Sequence, residues 1–170
     1  MELIPSFQVD HTRVVPGIYE SRCDTVEGNF VTTYDVRMKR PNVESAISPA
    51  AMHTIEHIVA TYLRNDPEWK DRIVYWGPMG CLTGFYLIVK GRPTPEELLP
   101  LILAAYDHCA AYEGEVPGAT PEGCGNYLLH DLAAAKTESR LYADLLRRSP
   151  CFVYPRGERL QVDGRTFFDS

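Results

Sequence analysis

No stretch of this chain is apolar for long enough to cross a bilayer: the longest run, Leu98 to Tyr106, is broken by Pro100 and falls far short of the roughly 20 residues a spanning helix needs. Positive charge is also in short supply. Lys and Arg number 17 against 23 Asp and Glu, giving a formal net charge of -6 and a pI near 5.3. A nucleic-acid groove or a face for anionic lipid wants the opposite balance, so both are excluded as principal partners and a small neutral or zwitterionic ligand is favoured. Met1-Glu2-Leu3-Ile4-Pro5 lacks the basic start and apolar core of a signal peptide. The five cysteines, Cys23, Cys81, Cys109, Cys124 and Cys151, are odd in number and irregular in spacing. Without an export signal they predict reduced thiols in a cytoplasmic protein, free to bind metal or carry protons. Repeats, low-complexity tracts and an internal linker are missing too.

What is present suits one domain, 170 residues with 45% hydrophobic content. Phe30, Thr32, Tyr34, Val36 and Met38 alternate with Val31, Thr33, Asp35 and Arg37, which predicts a strand after a turn at Glu27-Gly28-Asn29, with Asp35 and Arg37 on its more polar face. Arg72 to Trp76 and Thr83 to Lys90 read as further strands about a tight loop, Gly77-Pro78-Met79-Gly80. Thr94-Pro95-Glu96-Glu97 opens a helix with a capping box, and its stripe of Leu98, Ile102, Ala105, Tyr106 and Cys109 continues towards Gly114. A last helix is expected from near Asn126 to about Arg148, with Leu128, Leu132, Leu141, Leu145 and Leu146 facing the core. A hairpin about Asp163-Gly164 is expected in the tail, Pro150 to Ser170. Strands followed by helices favour an α+β domain, an antiparallel β-sheet covered by α-helices.

The most informative segment is His53-Thr54-Ile55-Glu56-His57. Ser48 as N-cap, Pro49 at the first helical position and Ala50, Ala51, Ile55, Ile58, Val59, Tyr62 and Leu63 at helical spacing place it on a helix. His53 and His57 then project from one face, one turn apart, and can grip a single metal ion, while Glu56 flanks it as a base. A pair of hydrogen-bonded histidines on a half-buried helix is the plainer alternative. For a third ligand Cys124 is the best candidate, because Gly123-Cys124-Gly125 stands just ahead of the last predicted helix, whose N-terminus favours a thiolate. An ordinary small residue in a turn explains it equally well. Cys81, at the end of a glycine-bounded loop, is either a thiol presented to a cleft, the third ligand itself, or the first buried residue of a strand. Cys109 reads as core packing, His108 and His130 as structural or surface histidines, and Cys23 and Cys151 carry no functional signal. His11, after Asp10 in a segment poor in core residues, is less easily set aside.

Taken together these segments resemble a family. Ser6-Phe7-x-x-Asp10-His11, Tyr34-Asp35-Val36-Arg37 with Pro41-Asn42, His53 to His57, Gly77-Pro78-Met79-Gly80-Cys81-Leu82-Thr83-Gly84-Phe85-Tyr86, and Cys124-Gly125 with Leu129-His130-Asp131-Leu132 are similar in order and spacing to the S-ribosylhomocysteine lyase (LuxS) family, over residues 1 to 148. Two features depart from its pattern. Tyr75-Trp76-Gly77 stands where many members carry an acidic residue and a serine, and residues 149–170 run past the usual end as an extension of unknown role.

The resemblance implies cleavage of the thioether of S-ribosylhomocysteine to L-homocysteine and 4,5-dihydroxy-2,3-pentanedione, the autoinducer-2 precursor, in the activated methyl cycle. It implies one Fe(II) per chain, replaceable by zinc or cobalt, held by His53, His57 and Cys124, where the residues alone would suggest zinc first. It makes Cys81 and Glu56 the catalytic acid–base pair and places Ser6, His11 and Arg37 at the substrate. Arg37 has two possible roles, a charge favouring the Cys81 thiolate or a fork for a substrate oxygen. The family implies a homodimer with active sites at the interface. Two other classes compete: an inverzincin peptidase, which needs a further acidic ligand well downstream, where the stretch from Gly123 to Thr137 offers Asp131 alone, and a non-catalytic module with a structural metal.

Overall fold

In the computed structural model the described residues are 9–155, together with the backbone of 161–162 and 165–166. Nine elements follow in order: β1 Gly17–Val26, β2 Asn29–Arg37, α1 Pro49–Asn65, β3 Ile73–Pro78, β4 Gly84–Lys90, α2 Pro95–Ala111, α3 Leu132–Arg148, β5 Gln161–Val162 and β6 Arg165–Thr166. The first four strands form one antiparallel sheet in the order β1-β2-β4-β3. The α+β architecture expected from the pattern is the one observed. β5 pairs antiparallel with β6, while the expected hairpin's turn residues, 163–164, lie outside the described residues.

The turn between β1 and β2 shows why its sequence is what it is. Glu27 and Gly28 both have positive φ, 50° and 81°, between the paired residues Val26 and Asn29. Two left-handed residues in a two-residue loop match the right-handed twist of the strands they join. Beyond it the pleat sorts the side chains. Thr32, Tyr34 and Val36 sit opposite Val89, Leu87 and Phe85 on one face, and all of these but Thr32, with Ile18, enter the core shared with the helices. On the other face the register sets Tyr19 opposite Asp35 and Asp35 opposite Tyr86. Asp35 and Arg37 are buried there, each 2% exposed, so the face that reads as polar is not a solvent face.

Ser48 caps α1 by accepting a hydrogen bond from the Ala51 N–H at 3.2 Å, with Pro49 at the first helical position. Its core stripe is Ala51, Met52, Ile55, Ile58, Val59 and Leu63. That stripe leaves His53, Glu56 and His57 half-buried on the flank of the helix. α2 begins with the expected capping box of Thr94 and Glu97 and runs through Pro100.

The last helix corrects the expectation. It starts at Leu132, capped by Asp131, whose Oδ1 accepts from the Ala134 N–H at 2.9 Å. Residues 124–131 are extended and turn-like because their polar groups are committed elsewhere: the Asp131 N–H donates to Thr54 Oγ1, and the Leu129 carbonyl accepts from His53. Leu128 and Leu141, expected in the core, are 78% and 55% exposed. The buried stripe is Ala135, Ser139, Tyr142, Ala143 and Leu146. Small residues let α3 approach α2 closely, with Tyr142 edge-on to Tyr106 at 4.8 Å between ring centroids.

Candidate metal centre and thiol site

The side chains of His53, His57, Cys124 and His130 offer ligand atoms that all lie within 4.8 Å of one another. The histidine tautomers follow from their hydrogen bonds. His53 Nδ1 is 2.8 Å from the Leu129 carbonyl and His57 Nδ1 is 2.6 Å from the Pro117 carbonyl. A carbonyl has no proton to give, so each ring donates from Nδ1 and is left with a bare Nε2. Those two Nε2 atoms face each other at 3.0 Å, and Cys124 Sγ is 3.3 Å from that of His53. Lone pairs aimed at one another repel unless a cation lies between them. Ligand atoms about 3–4 Å apart are also what a tetrahedral ion with bonds of about 2.0–2.3 Å requires. The donors therefore fit a divalent metal, and the backbone carbonyls behind the rings supply the orienting hydrogen bonds usual for metal-bound histidine.

Cys124 does not stand at a helix N-terminus, as the sequence had suggested, because α3 begins only at Leu132. Its loop is held by N–H groups of Gly123 and Cys124 donating to the Thr120 carbonyl at 3.1 and 3.0 Å. A Cβ on Gly123 would come within 2.7 Å of the Gly118 carbonyl, so only glycine lets the loop close here. The Asn126 N–H then donates to Cys124 Sγ at 3.4 Å.

His130, expected to be a satisfied structural or surface residue, joins the cluster. Thr54 gives its hydroxyl proton to the Ala50 carbonyl and so accepts from His130 Nδ1 at 3.2 Å. His130 Nε2 is left bare and is buried without a partner. Burial lowers the His130 pKa, with His53 and His57 adding to the effect. The ring stacks on His53, centroids 4.2 Å apart and planes 16° apart. Lone pairs lie in the ring plane, and two nearly parallel planes do not converge on one nearby point. Its near-parallel stacking on His53 thus sets His130 apart from His57 and Cys124 within the group of four candidate donors. Nothing in the local spacing of His130 marks it; long-range contacts bring it to α1.

A second group gathers around Cys81. Arg37 grips Asp35 with two bonds, Nε to Oδ1 at 3.0 Å and Nη2 to Oδ2 at 2.6 Å. Its remaining arm, Nη1, donates to Thr83 Oγ1 at 2.7 Å and lies 3.8 Å from Cys81 Sγ. Thr83 Oγ1, accepting from Arg37, can turn its own hydrogen to Cys81 Sγ at 3.1 Å. Two donors thus face the exposed sulfur. Burial alone would lower the Arg37 pKa, but the Asp35 charge and hydrogen bond, with Cys81 adding, hold it above its ordinary value.

The backbone around Cys81 is held under strain. Leu82 has φ 59°, a left-handed conformation costly for a residue with a side chain. Hydrogen bonds from Leu82 N to the Met79 carbonyl, Ile47 N to the Leu82 carbonyl, and Met38 N and Lys39 N to the Thr83 carbonyl fix it there. A Cβ on Gly84 would meet the Val36 carbonyl at 2.4 Å, so glycine lets β4 lie close against β2 at Arg37.

Glu56 is half-buried on α1 beside His57, and no hydrogen bond or ion pair among the described residues joins the histidine group to the Cys81 group. His11 is half-buried with Nδ1 2.8 Å from the Val9 carbonyl. Ser6 lies outside the described residues. Asp131, the one acid between Gly123 and Thr137 and so the candidate peptidase ligand, caps α3 through Oδ1.

Residues 4–149 match the family model described as S-Ribosylhomocysteinase (LuxS). A protein of Phocaeicola vulgatus named S-ribosylhomocysteine lyase is 58% identical over 142 residues, covering 84% of this chain and 88% of its own. Proteins of the same name from Porphyromonas gingivalis and Desulfotalea psychrophila are 54% and 49% identical over 142 residues, each covering 84% of this chain and 89% of their own.

Proposed function

The chain belongs to the S-Ribosylhomocysteinase (LuxS) family, and we infer that its reaction is cleavage of the thioether of S-ribosylhomocysteine to L-homocysteine and 4,5-dihydroxy-2,3-pentanedione. It is a metal-dependent carbon–sulfur lyase working by carbonyl migration and β-elimination, and the dione is the precursor of autoinducer-2. Two bare Nε2 atoms facing each other beside a thiol carry the metal part of this reading. His53, His57 and Cys124 are the ligands we assign. We take the metal as Fe(II), one per chain, with zinc or cobalt able to replace it in a mixed nitrogen and sulfur site. Once bound, it supplies a Lewis acid for the developing oxyanion of the sugar.

A sulfur on an ordinary sugar carbon leaves poorly. Moving the carbonyl from C1 to C3 places the sulfur β to it, where loss of the C4 proton expels homocysteine thiolate. Each move takes a proton from one carbon and returns one to its neighbour, so the site needs groups that cycle. We assign this work to the Cys81 thiolate and the Glu56 carboxylate on the two sides of the sugar chain. Three of the Arg37 contacts are spent on Asp35 and Thr83, which supports its role as the charge that favours the Cys81 thiolate. Ser6 and His11 are assigned to the substrate by the resemblance.

We propose a homodimer in which the histidine group of one chain meets the Cys81 group of its partner, since within one chain no polar contact joins them. Exposed Tyr127, Leu128 and Leu129 beside the metal ligands and the exposed Cys81 support an interface there. Residues 1–148 are taken as the catalytic domain. Free thiols at all five cysteines support the cytoplasm as its location, and no described helix is long and apolar enough to cross a membrane.

The central test incubates anaerobically purified protein with S-ribosylhomocysteine and follows free thiol. One thiol released per substrate is expected. Peptide hydrolysis without thiol release would overturn the assignment. Mixing inactive His57→Ala and Cys81→Ala chains tests the interface: random pairing rebuilds one site in half of the dimers, restoring roughly a quarter of full activity. No recovery after subunit exchange would place both groups in one chain.

A further inference from the structure

Residues 150–155 lie beyond the family match at 149, yet they are tied into the sheet face that carries the thiol machinery. The Ile18 N–H donates to the Cys151 carbonyl at 2.9 Å. Three residues on, Tyr154 stacks on Tyr19, ring centroids 4.4 Å apart and planes 12° apart. Its hydroxyl donates to Asp35 Oδ2 at 2.9 Å. That oxygen also accepts from Arg37 Nη2, and the far arm of the same guanidinium reaches Thr83 and Cys81. A continuous polar path thus runs from Tyr154 through Asp35 and Arg37 to the sulfur.

We propose that Tyr154 is a positioning residue for the Cys81 thiol, and that the start of the C-terminal extension is a working part of the catalytic unit. The inference rests on the reading of Cys81 as a proton carrier. Asp35 presents a negative charge that opposes the Arg37 charge at the sulfur. A phenol donating to Asp35 draws off part of that charge and holds the carboxylate square to the guanidinium, so more of the positive charge is felt at Cys81. Burial first, and the Asp35 charge after it, push the Tyr154 pKa far upward, so the phenol stays a donor across the working range. The other groups facing this path are Tyr86 beside Cys81, and Tyr19 and Tyr142 behind Asp35. Their pKa values are raised as well, so they hold their protons while the thiol titrates.

The test is the pH dependence of Cys81 alkylation by iodoacetamide in the metal-loaded full chain, read by mass spectrometry of the peptide containing Cys81. Tyr154→Phe keeps the stacked ring and removes only the hydroxyl. Its alkylation midpoint should move up by roughly half to one pH unit. Thiol release below that midpoint should fall by about 3- to 10-fold, with recovery at higher pH and unchanged metal content. Tyr142→Phe is the control, because it deletes a buried hydroxyl bound to the Gly17 carbonyl at 2.7 Å. It should lower thermal stability and leave the midpoint in place. An unmoved midpoint in Tyr154→Phe, or an equal move in Tyr142→Phe, would overturn the proposal. Full activity in Cys81→Ala would instead remove the thiol from the chemistry while leaving the ionisation result intact.

Discussion

Replacing His57 by Ala is expected to strip the metal and reduce thiol release to background. On the proposed assignment to His53, His57 and Cys124, deleting one ligand leaves an imidazole and a thiolate, too few to hold a divalent ion against water. Cys124→Ala should do the same, since it removes the anionic donor 3.3 Å from His53 Nε2. The decisive measurement is metal per chain after anaerobic purification, made alongside the activity. Cobalt loading gives a second view, because its visible bands report thiolate and nitrogen ligation directly and should vanish in both variants. Air should inactivate an iron-loaded enzyme and spare the cobalt form. Full metal retention in His57→Ala would show the ligand set to be wrong, and an air-stable, fully active iron enzyme would count against Fe(II).

Cys81→Ala should behave in the opposite way, keeping metal and fold while losing thiol release by roughly 100-fold or more, the scale of an acid–base group. The environments of the two thiols separate their duties. Cys124 Sγ faces a bare imidazole nitrogen, whereas Cys81 Sγ faces the hydroxyl of Thr83 and the guanidinium of Arg37. The first arrangement suits a metal ligand, and the second puts hydrogen-bond donors and no ligand-bearing ring against the sulfur. Glu56→Gln should likewise keep metal, because it preserves shape and removes basicity. If either variant still isomerises the sugar but does not eliminate, a keto intermediate should accumulate in the NMR spectrum of the substrate. A Cys81→Ala protein without metal beside a Cys124→Ala protein that retains it would mean the two thiols had exchanged roles.

The sequence by itself determined those features that depend on neighbours along the chain. The Ser48 cap, Pro49 and the 3.6-residue period are local, so α1 and the shared face of His53 and His57 were legible before any fold was known. The same holds for the capping box at Thr94 and for the alternation of β2. Motif order along the chain carried the family. Tertiary structure decided whatever depended on groups far apart in sequence. The start of α3 moved to Leu132 because Thr54 and His53 claim the backbone of residues 129–131, 76 or 77 positions away. His130 became part of the cluster through the same contacts. Leu128 was misjudged because it lies in the turn-like segment ahead of α3, and Leu141 because hydrophobicity does not say which side of a helix its neighbours occupy; on α3 the close approach of α2 favours Ala135 and Ala143 instead. Asp35 and Arg37 read as the more polar face by alternation, yet both are buried, and Tyr154, 119 residues beyond Asp35, bonds to Asp35 there. A two-residue period records which side of a strand a residue takes, and only the folded chain records what lies over that side.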